Sequence, residues 1–451
     1  MIVVEGGAVA TVDASGTEYQ PGHVVVDGDR IVAVGPGAAP RYPEPVCHID
    51  STGCLVTPGL VNTHHHLYQW ATRGLAQQQN LFGWLTELYP IWAGIDEEVV
   101  GAAAAAGLGW LALSGCTTSA DHHYVFPHGR GDLFAATVDA AVAVGVRFHP
   151  TRGSMDLGVS AGGLPPDDLV EKTDEALNAT QDAIDRFHDP SPGAMLRVAV
   201  APCSPFSVTP ELMREAVVLA RNAGVRLHTH LAETQEESSF CRSEHGCTPV
   251  EYAERLGFLG DDVWLAHGVH LSTAEILRLG ETGTGVAHCP SSNARLGAGI
   301  APVRELLDAH AAVGLGVDGA ASQEAGQLSA ELRQALYVAR LRGGPASLSA
   351  RQALTLGTIG GARCLGRADE LGSLEPGKLA DLAMWRLDGL GHEGIADPVA
   401  ALVFGPSAVV ELLLVGGRPI VERGVLVNTT EADLTGRVRV AARRLSAAVA
   451  R

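Results

Sequence analysis

Two histidines, His64 and His66, stand two residues apart in VNTHHH, and His228 and His230 repeat the spacing in LHTHLAE. Side chains alternate between the faces of a strand, so each pair points both imidazoles to one side. Two imidazoles on one face make half of a metal site. Of the second pair, His230 lies nearer the strand's carboxyl end and is the ligand candidate, whereas His228, one pleat deeper, is expected to pack behind it. Glu233 follows three residues after His230, past the expected strand end. A carboxylate in that place suits a proton shuttle beside an activated water. His267 closes the apolar run VWLAH and Asp318 closes VGLGVD. Three neutral imidazoles and one carboxylate suit a single borderline divalent ion, zinc first and iron(II) as the alternative, with a position left open for water.

Such residues need elements whose ends gather at one place. Apolar β-rich segments alternate along the chain with helical stretches rich in Ala, Leu and Glu, the pattern of parallel strands with crossover helices. Eight segments fit: LVTPGLVNTHHH, CTTSADHH, VRFHPTRGS, LRVAVAPCSPFSV, VRLHTHLAE, DVWLAHGVH, GTGVAHCPSSN and VGLGVDGAAS. Each ends in polar or histidine residues, as in a (β/α)8 barrel whose active site collects at the carboxyl ends of its strands. The two chain ends read differently, as short strands with glycine turns in VVVDGDRIVAVG, GSLEPGKLADLAMW and SAVVELLLVGGRPIVERG. The expected fold is therefore α/β, a barrel over residues 55–370 beside a small composite β-sandwich built from 1–54 and 371–451.

Composition narrows the function classes. The 451 residues carry 32 Lys plus Arg against 51 Asp plus Glu, a net charge of −19. That balance opposes binding to nucleic-acid phosphates or to anionic membrane surfaces. The start lacks a basic segment followed by an apolar one, and no run of 18 apolar residues occurs, so a cytoplasmic location is expected. The eight cysteines form no CxxC pair, and most are expected to be small buried hydrophobes. Cys203, after the fourth strand segment, is also a candidate for the substrate cavity wall.

The order HxH, HxxE, HG and D at strand ends resembles the amidohydrolase superfamily, in its single-metal branch of cytosine, guanine and S-adenosylhomocysteine deaminases. PGLVNTHHH and the closing GSLEPGKLADL extend the likeness over nearly the whole chain. The resemblance implies His64, His66, His230 and Asp318 as metal ligands, Glu233 as acid and base, and His267 as a polarising group that shares catalysis with Asp318. A finer likeness, to 8-oxoguanine deaminases and hydroxyatrazine hydrolases, is carried by LFGWLTELYPIWAG, RGSMDLG, APCSPFSVT and GVAHCPSSN. It implies deamination of an oxopurine, 8-oxoguanine to urate, with a hydroxytriazine, another purine, a pterin or an adenosine-type substrate as alternatives, and a homo-oligomer. One departure stands out: Gln323 occupies the place where the family pattern expects an asparagine.

Substrate contacts are sought in Gln69, Cys203 and Trp92. Gln69, five residues beyond His64, offers a donor and an acceptor unless it is a surface amide. Trp92 belongs to an aromatic segment suited to a lid, a dimer contact or a ring contact. Two other readings compete. A two-metal amide-ring hydrolase usually needs a bridging lysine, and APCSPFSV offers none. A scaffold that had lost its chemistry would be expected to lack a ligand or the acid, yet all six positions are filled.

Overall fold

The computed structural model describes residues 1–43 and 45–449. Eight parallel strands close a barrel: β1 Leu60–Asn62, β2 Cys116–His123, β3 Arg147–Ser154, β4 Ala199–Pro202, β5 Leu227–Leu231, β6 Val263–His267, β7 Gly285–His288 and β8 Val313–Leu315. Every residue of these strands is buried, because helices cover the outside while side chains fill the inside. Polar strand residues therefore need internal partners. Asn62 meets that need across three neighbours, donating to Ser119 Oγ and accepting from the Val317 N–H, both at 3.0 Å. This bond pair pins the ends of β1, β2 and β8 together.

Sequence reasoning took LVTPGLVN as one barrel strand. The chain instead divides it at Gly59: Cys54–Pro58 pairs antiparallel with Leu382–Arg386 in a seven-stranded sheet, and only Leu60–Asn62 joins the barrel. Pro58 cannot donate to a ladder. At Gly59 a Cβ would lie 2.2 Å from the Thr117 side chain, so only glycine permits the change of sheet. The seven-stranded sheet faces a four-stranded one, with Val4, Val24, Val56, Leu382 and Leu414 among the fully buried residues between them. The sandwich thus uses both chain ends.

Residues 371–451 were expected to belong wholly to that β-structure, but Glu431–Val449 is a helix packed on the barrel's outer helix Glu97–Leu113. The reason lies in both sequences. Glu97–Leu113 is apolar nearly all round, which requires burial on more than one side. Leu434, Ala441 and Leu445 form a buried stripe at helical spacing on the covering helix, and Leu434 packs where Gly109 has no side chain. None of the described helices is long and apolar enough to cross a membrane.

Candidate metal centre and active site

The strand ends deliver their side chains with unusual backbone geometry. His267 and Asp318 have φ of +77° and +63°, and Ala232, just before Glu233, has +56°. Left-handed backbone is uncommon outside glycine and persists where surrounding structure enforces it. Here it turns the residues after β5, β6 and β8 toward a common point.

Hydrogen bonds then fix the tautomers of the histidines. His66 Nδ1 donates to the His122 carbonyl at 2.6 Å, and His230 Nδ1 donates to the Cys203 carbonyl at 2.7 Å. His228 Nδ1 donates to the Trp264 carbonyl, so its Nε2 accepts from His64 Nδ1, both at 2.8 Å. Every one of these three rings, His64, His66 and His230, is left with a bare lone pair on Nε2. His66 Nε2 and His230 Nε2 face each other at 3.1 Å, and Asp318 Oδ1 lies 3.3 Å from His64 Nε2 and 3.2 Å from His66 Nε2.

Lone pairs aimed at one another repel unless a positive charge sits among them. A proton is disfavoured: burial holds His64 well below the usual imidazole range despite Asp318, and burial with the neighbouring imidazoles does the same to His230. The donor set fits a divalent cation instead. Bonds of about 2.0–2.1 Å in a tetrahedral site separate donors by about 3.3 Å, close to the spacings found here. Among the described residues, the ligand atoms of His64, His267 and Asp318, and those of His64, His122 and His230, lie within 4.8 Å of one another.

Glu233 stands beside this cluster. Its Oε2 lies 3.4 Å from His267 Nε2, and His267 Nδ1 donates to Asn293 Oδ1 at 3.0 Å. The turn bearing Glu233 is itself held, since Glu237 accepts the backbone N–H groups of Ala232 and Glu233, each at 2.8 Å. Burial, then the charges of Asp318 and Glu237, pushes the Glu233 carboxyl well above its usual range.

A small cavity opens onto these groups. Leu81, Trp84, Leu85 and Tyr89, one face of the helix Leu81–Trp92, form one wall, with Phe206 and Leu296 opposite and Tyr124, Ser204 and Ser322 supplying polar atoms. Cys203 lines it as well, and burial pushes its thiol up to about 12, so it stays protonated at neutral pH.

Two expected contacts fall elsewhere. Trp92 is not a cavity residue: it is fully buried behind the wall, against Tyr68, Trp84 and Tyr89, and its indole N–H donates to Thr72 Oγ1 at 3.1 Å. Gln69 is neither surface amide nor cavity wall, because the chain beyond His66 coils inward as the buried turn Leu67–Thr72 and its amide fills the space over Gly319. Sequence reasoning also passed over residues inside motifs it had quoted. His122, in CTTSADHH, stacks on the His230 ring at 4.7 Å, and Ser292, in CPSSN, donates to Asp318 Oδ2 at 2.6 Å. The strand-end position of His122 was the available signal for it, while Ser292 lies in the helix Pro290–Arg295 beyond its strand.

Comparison with known proteins gives the family. The amidohydrolase family pattern matches residues 55–420. The chain is 45% identical to 8-oxoguanine deaminase of Pseudomonas aeruginosa, over 97% of this chain and 98% of that protein. It is 36% identical to isoxanthopterin deaminase of an unknown prokaryotic organism, over 98% of this chain and 97% of that one. The crystal structure of atrazine chlorohydrolase from Arthrobacter aurescens TC1 complexed with zinc superposes with a TM-score of 0.93 at 36% identity, covering 98% of this chain and all of that one. The barrel, its flanking sandwich and the family pattern together make this chain a member of the amidohydrolase family.

Proposed function

We propose that this protein is a hydrolytic deaminase that holds one divalent cation, zinc, and converts an oxopurine base, 8-oxoguanine, to urate and ammonia. The observation that carries the reading is the cluster of three buried imidazole lone pairs and one carboxylate oxygen, with three separations of 3.1–3.3 Å linking all four, and with Glu233 and His267 beside it on a cavity wall. His64, His66 and His230 would hold the ion through Nε2 and Asp318 through Oδ1. When bound, such an ion lowers the pKa of a coordinated water from 15.7 to about 7.

The side chains account for the proton movements. Glu233 takes a proton as water adds to the amine-bearing ring carbon, and delivers it to the adjacent ring nitrogen. Glu233 then takes the proton of the added hydroxyl and delivers it to the amine, which leaves as ammonia while the carbon keeps the oxygen as a carbonyl. His267 is held neutral by burial, so its Nε2 can accept a hydrogen bond from protonated Glu233 and keep that carboxyl aimed. The tautomer is fixed by Asn293.

The cavity supports a small flat substrate. Its walls are aromatic and aliphatic, and neither lysine nor arginine is found among the described lining residues, which suits an uncharged base over a phosphorylated nucleotide. Among flat rings, the likeness to 8-oxoguanine deaminase supports that base. Ammonia release from 8-oxoguanine, isoxanthopterin, guanine and a hydroxytriazine distinguishes the candidates. The highest kcat/KM is expected for 8-oxoguanine, with urate identified by its ultraviolet spectrum; faster turnover of the pterin or triazine overturns the substrate assignment.

A further inference from the structure

The residue that departs from the family pattern occupies a structural junction. Gln323 is buried, as is Glu331 on the helix Leu328–Gly343. Gln323 Nε2 donates to Glu331 Oε1 at 2.7 Å, and Gln323 Oε1 accepts the Gly326 N–H. Glu331 Oε2 accepts the Ser291 N–H at 3.1 Å. Ser291 begins a run of three residues that serve the site. Ser292 Oγ donates to Asp318 Oδ2 at 2.6 Å, and Asn293 Oδ1 accepts from His267 Nδ1 at 3.0 Å. The loop after β8 is thereby tied, through two buried side chains, to the short helix Pro290–Arg295 after β7, which fixes both Asp318 and His267.

We propose that Gln323 and Glu331 form a positioning brace that sets the aim of Asp318 and His267, an inference that rests on the deaminase reading above. A buried carboxylate is costly unless its oxygens accept hydrogen bonds, and Glu331 meets that condition only with an amide donor opposite it. Asparagine at 323 is shorter by about 1.5 Å and cannot span the same gap. The longer glutamine is thus matched to Glu331. The match has a definite polarity, one amide facing one carboxylate, and exchanging the two preserves every bond: the carboxylate at 323 accepts from Gly326 and from the amide at 331, whose oxygen accepts from Ser291.

That symmetry supplies the test. Gln323→Glu sets two carboxylates against each other and is expected to lower kcat by about 100-fold with little change in KM, as for a small misplacement of reacting groups. Zinc affinity, read by competition with a chromophoric chelator, should fall by about 10-fold. The exchanged pair Gln323→Glu/Glu331→Gln is expected to restore both to within about threefold of wild type. A purely structural role would move the melting temperature but not the split between kcat and KM. Gln323→Asn serves as the milder variant, expected to fold normally and still lose kcat. The brace is overturned if Gln323→Asn or a folded Gln323→Glu keeps wild-type kcat and zinc affinity, or if the folded exchanged pair does not recover them. A wild-type protein that released no ammonia from any candidate ring would instead count against the deaminase reading, and zinc affinity would still judge the brace.

Discussion

Opposite ends of one barrel treat buried polar groups in opposite ways. At the amino end of β3, Arg147 Nε and Nη2 each donate to Asp381 at 2.9 Å, while Nη1 donates to the carbonyls of Gly193 and Ala194. Asp381 also accepts the Gly416 N–H at 2.7 Å, so barrel and sandwich are joined by a closed polar cluster. At the carboxyl ends, His66 and His230 direct Nε2 lone pairs at each other across 3.1 Å, and His64 Nε2 and Glu233 Oε1 have no hydrogen-bond partner among the described residues. Both clusters are buried. One is complete with protein atoms alone and the other is not, and that difference separates a structural ion pair from a ligand site.

The contrast can be broken from either side. Stripping divalent ions with a chelator should abolish activity altogether, and added zinc should restore it; activity that survives complete removal of metal contradicts the incomplete-site reading. Next in size is Glu233→Gln, for which turnover should fall by about 10²–10⁴-fold while elemental analysis finds the cation retained. At the other end, Arg147→Met leaves Asp381 buried without its partner. Chemical denaturation should register a loss of about 3–5 kcal/mol, with kcat of the folded protein unchanged. Altered catalysis in that variant would mean that the two ends are coupled.

A smaller effect sharpens the comparison. Asp121, near the site, accepts the Leu67 N–H at 2.8 Å, and burial pushes its carboxyl to about 7 against an unfolded value of about 3.9. The folded protein thus binds this proton more tightly than the unfolded chain. The associated stability is complete below about pH 4 and is lost as pH rises through about 7. Asp121→Asn keeps an acceptor for Leu67 and removes the titration. Melting temperature should decline less between pH 5 and 8 in the variant than in wild type, and an equal decline removes Asp121 as the cause.

Local pattern made part of this legible and long-range contact made part of it invisible. The spacing of His228 and His230 follows from the period of β5 and His267 closes β6, whereas His64, His66 and Asp318 lie just past the ends of β1 and β8, and the folded chain brings these side chains together. The division at Gly59 depends on Thr117, far along the chain, and periodicity carries no trace of it. Trp92 looked like a ring contact by residue type, yet the helix rotation gives the cavity to Trp84 and Tyr89. Ser292 and Asn293 on the short helix Pro290–Arg295 and Glu331 on Leu328–Gly343 act on residues distant in sequence, so their roles depend on which elements meet.

The most direct measurement is metal analysis of the purified protein beside His64→Ala. The wild-type chain should carry about one divalent ion, predominantly zinc, and the variant should carry almost none while remaining folded. A wild-type protein that binds no divalent ion even after incubation with zinc, or a variant with unchanged stoichiometry, would contradict the central claim that these imidazoles and Asp318 form a cation site.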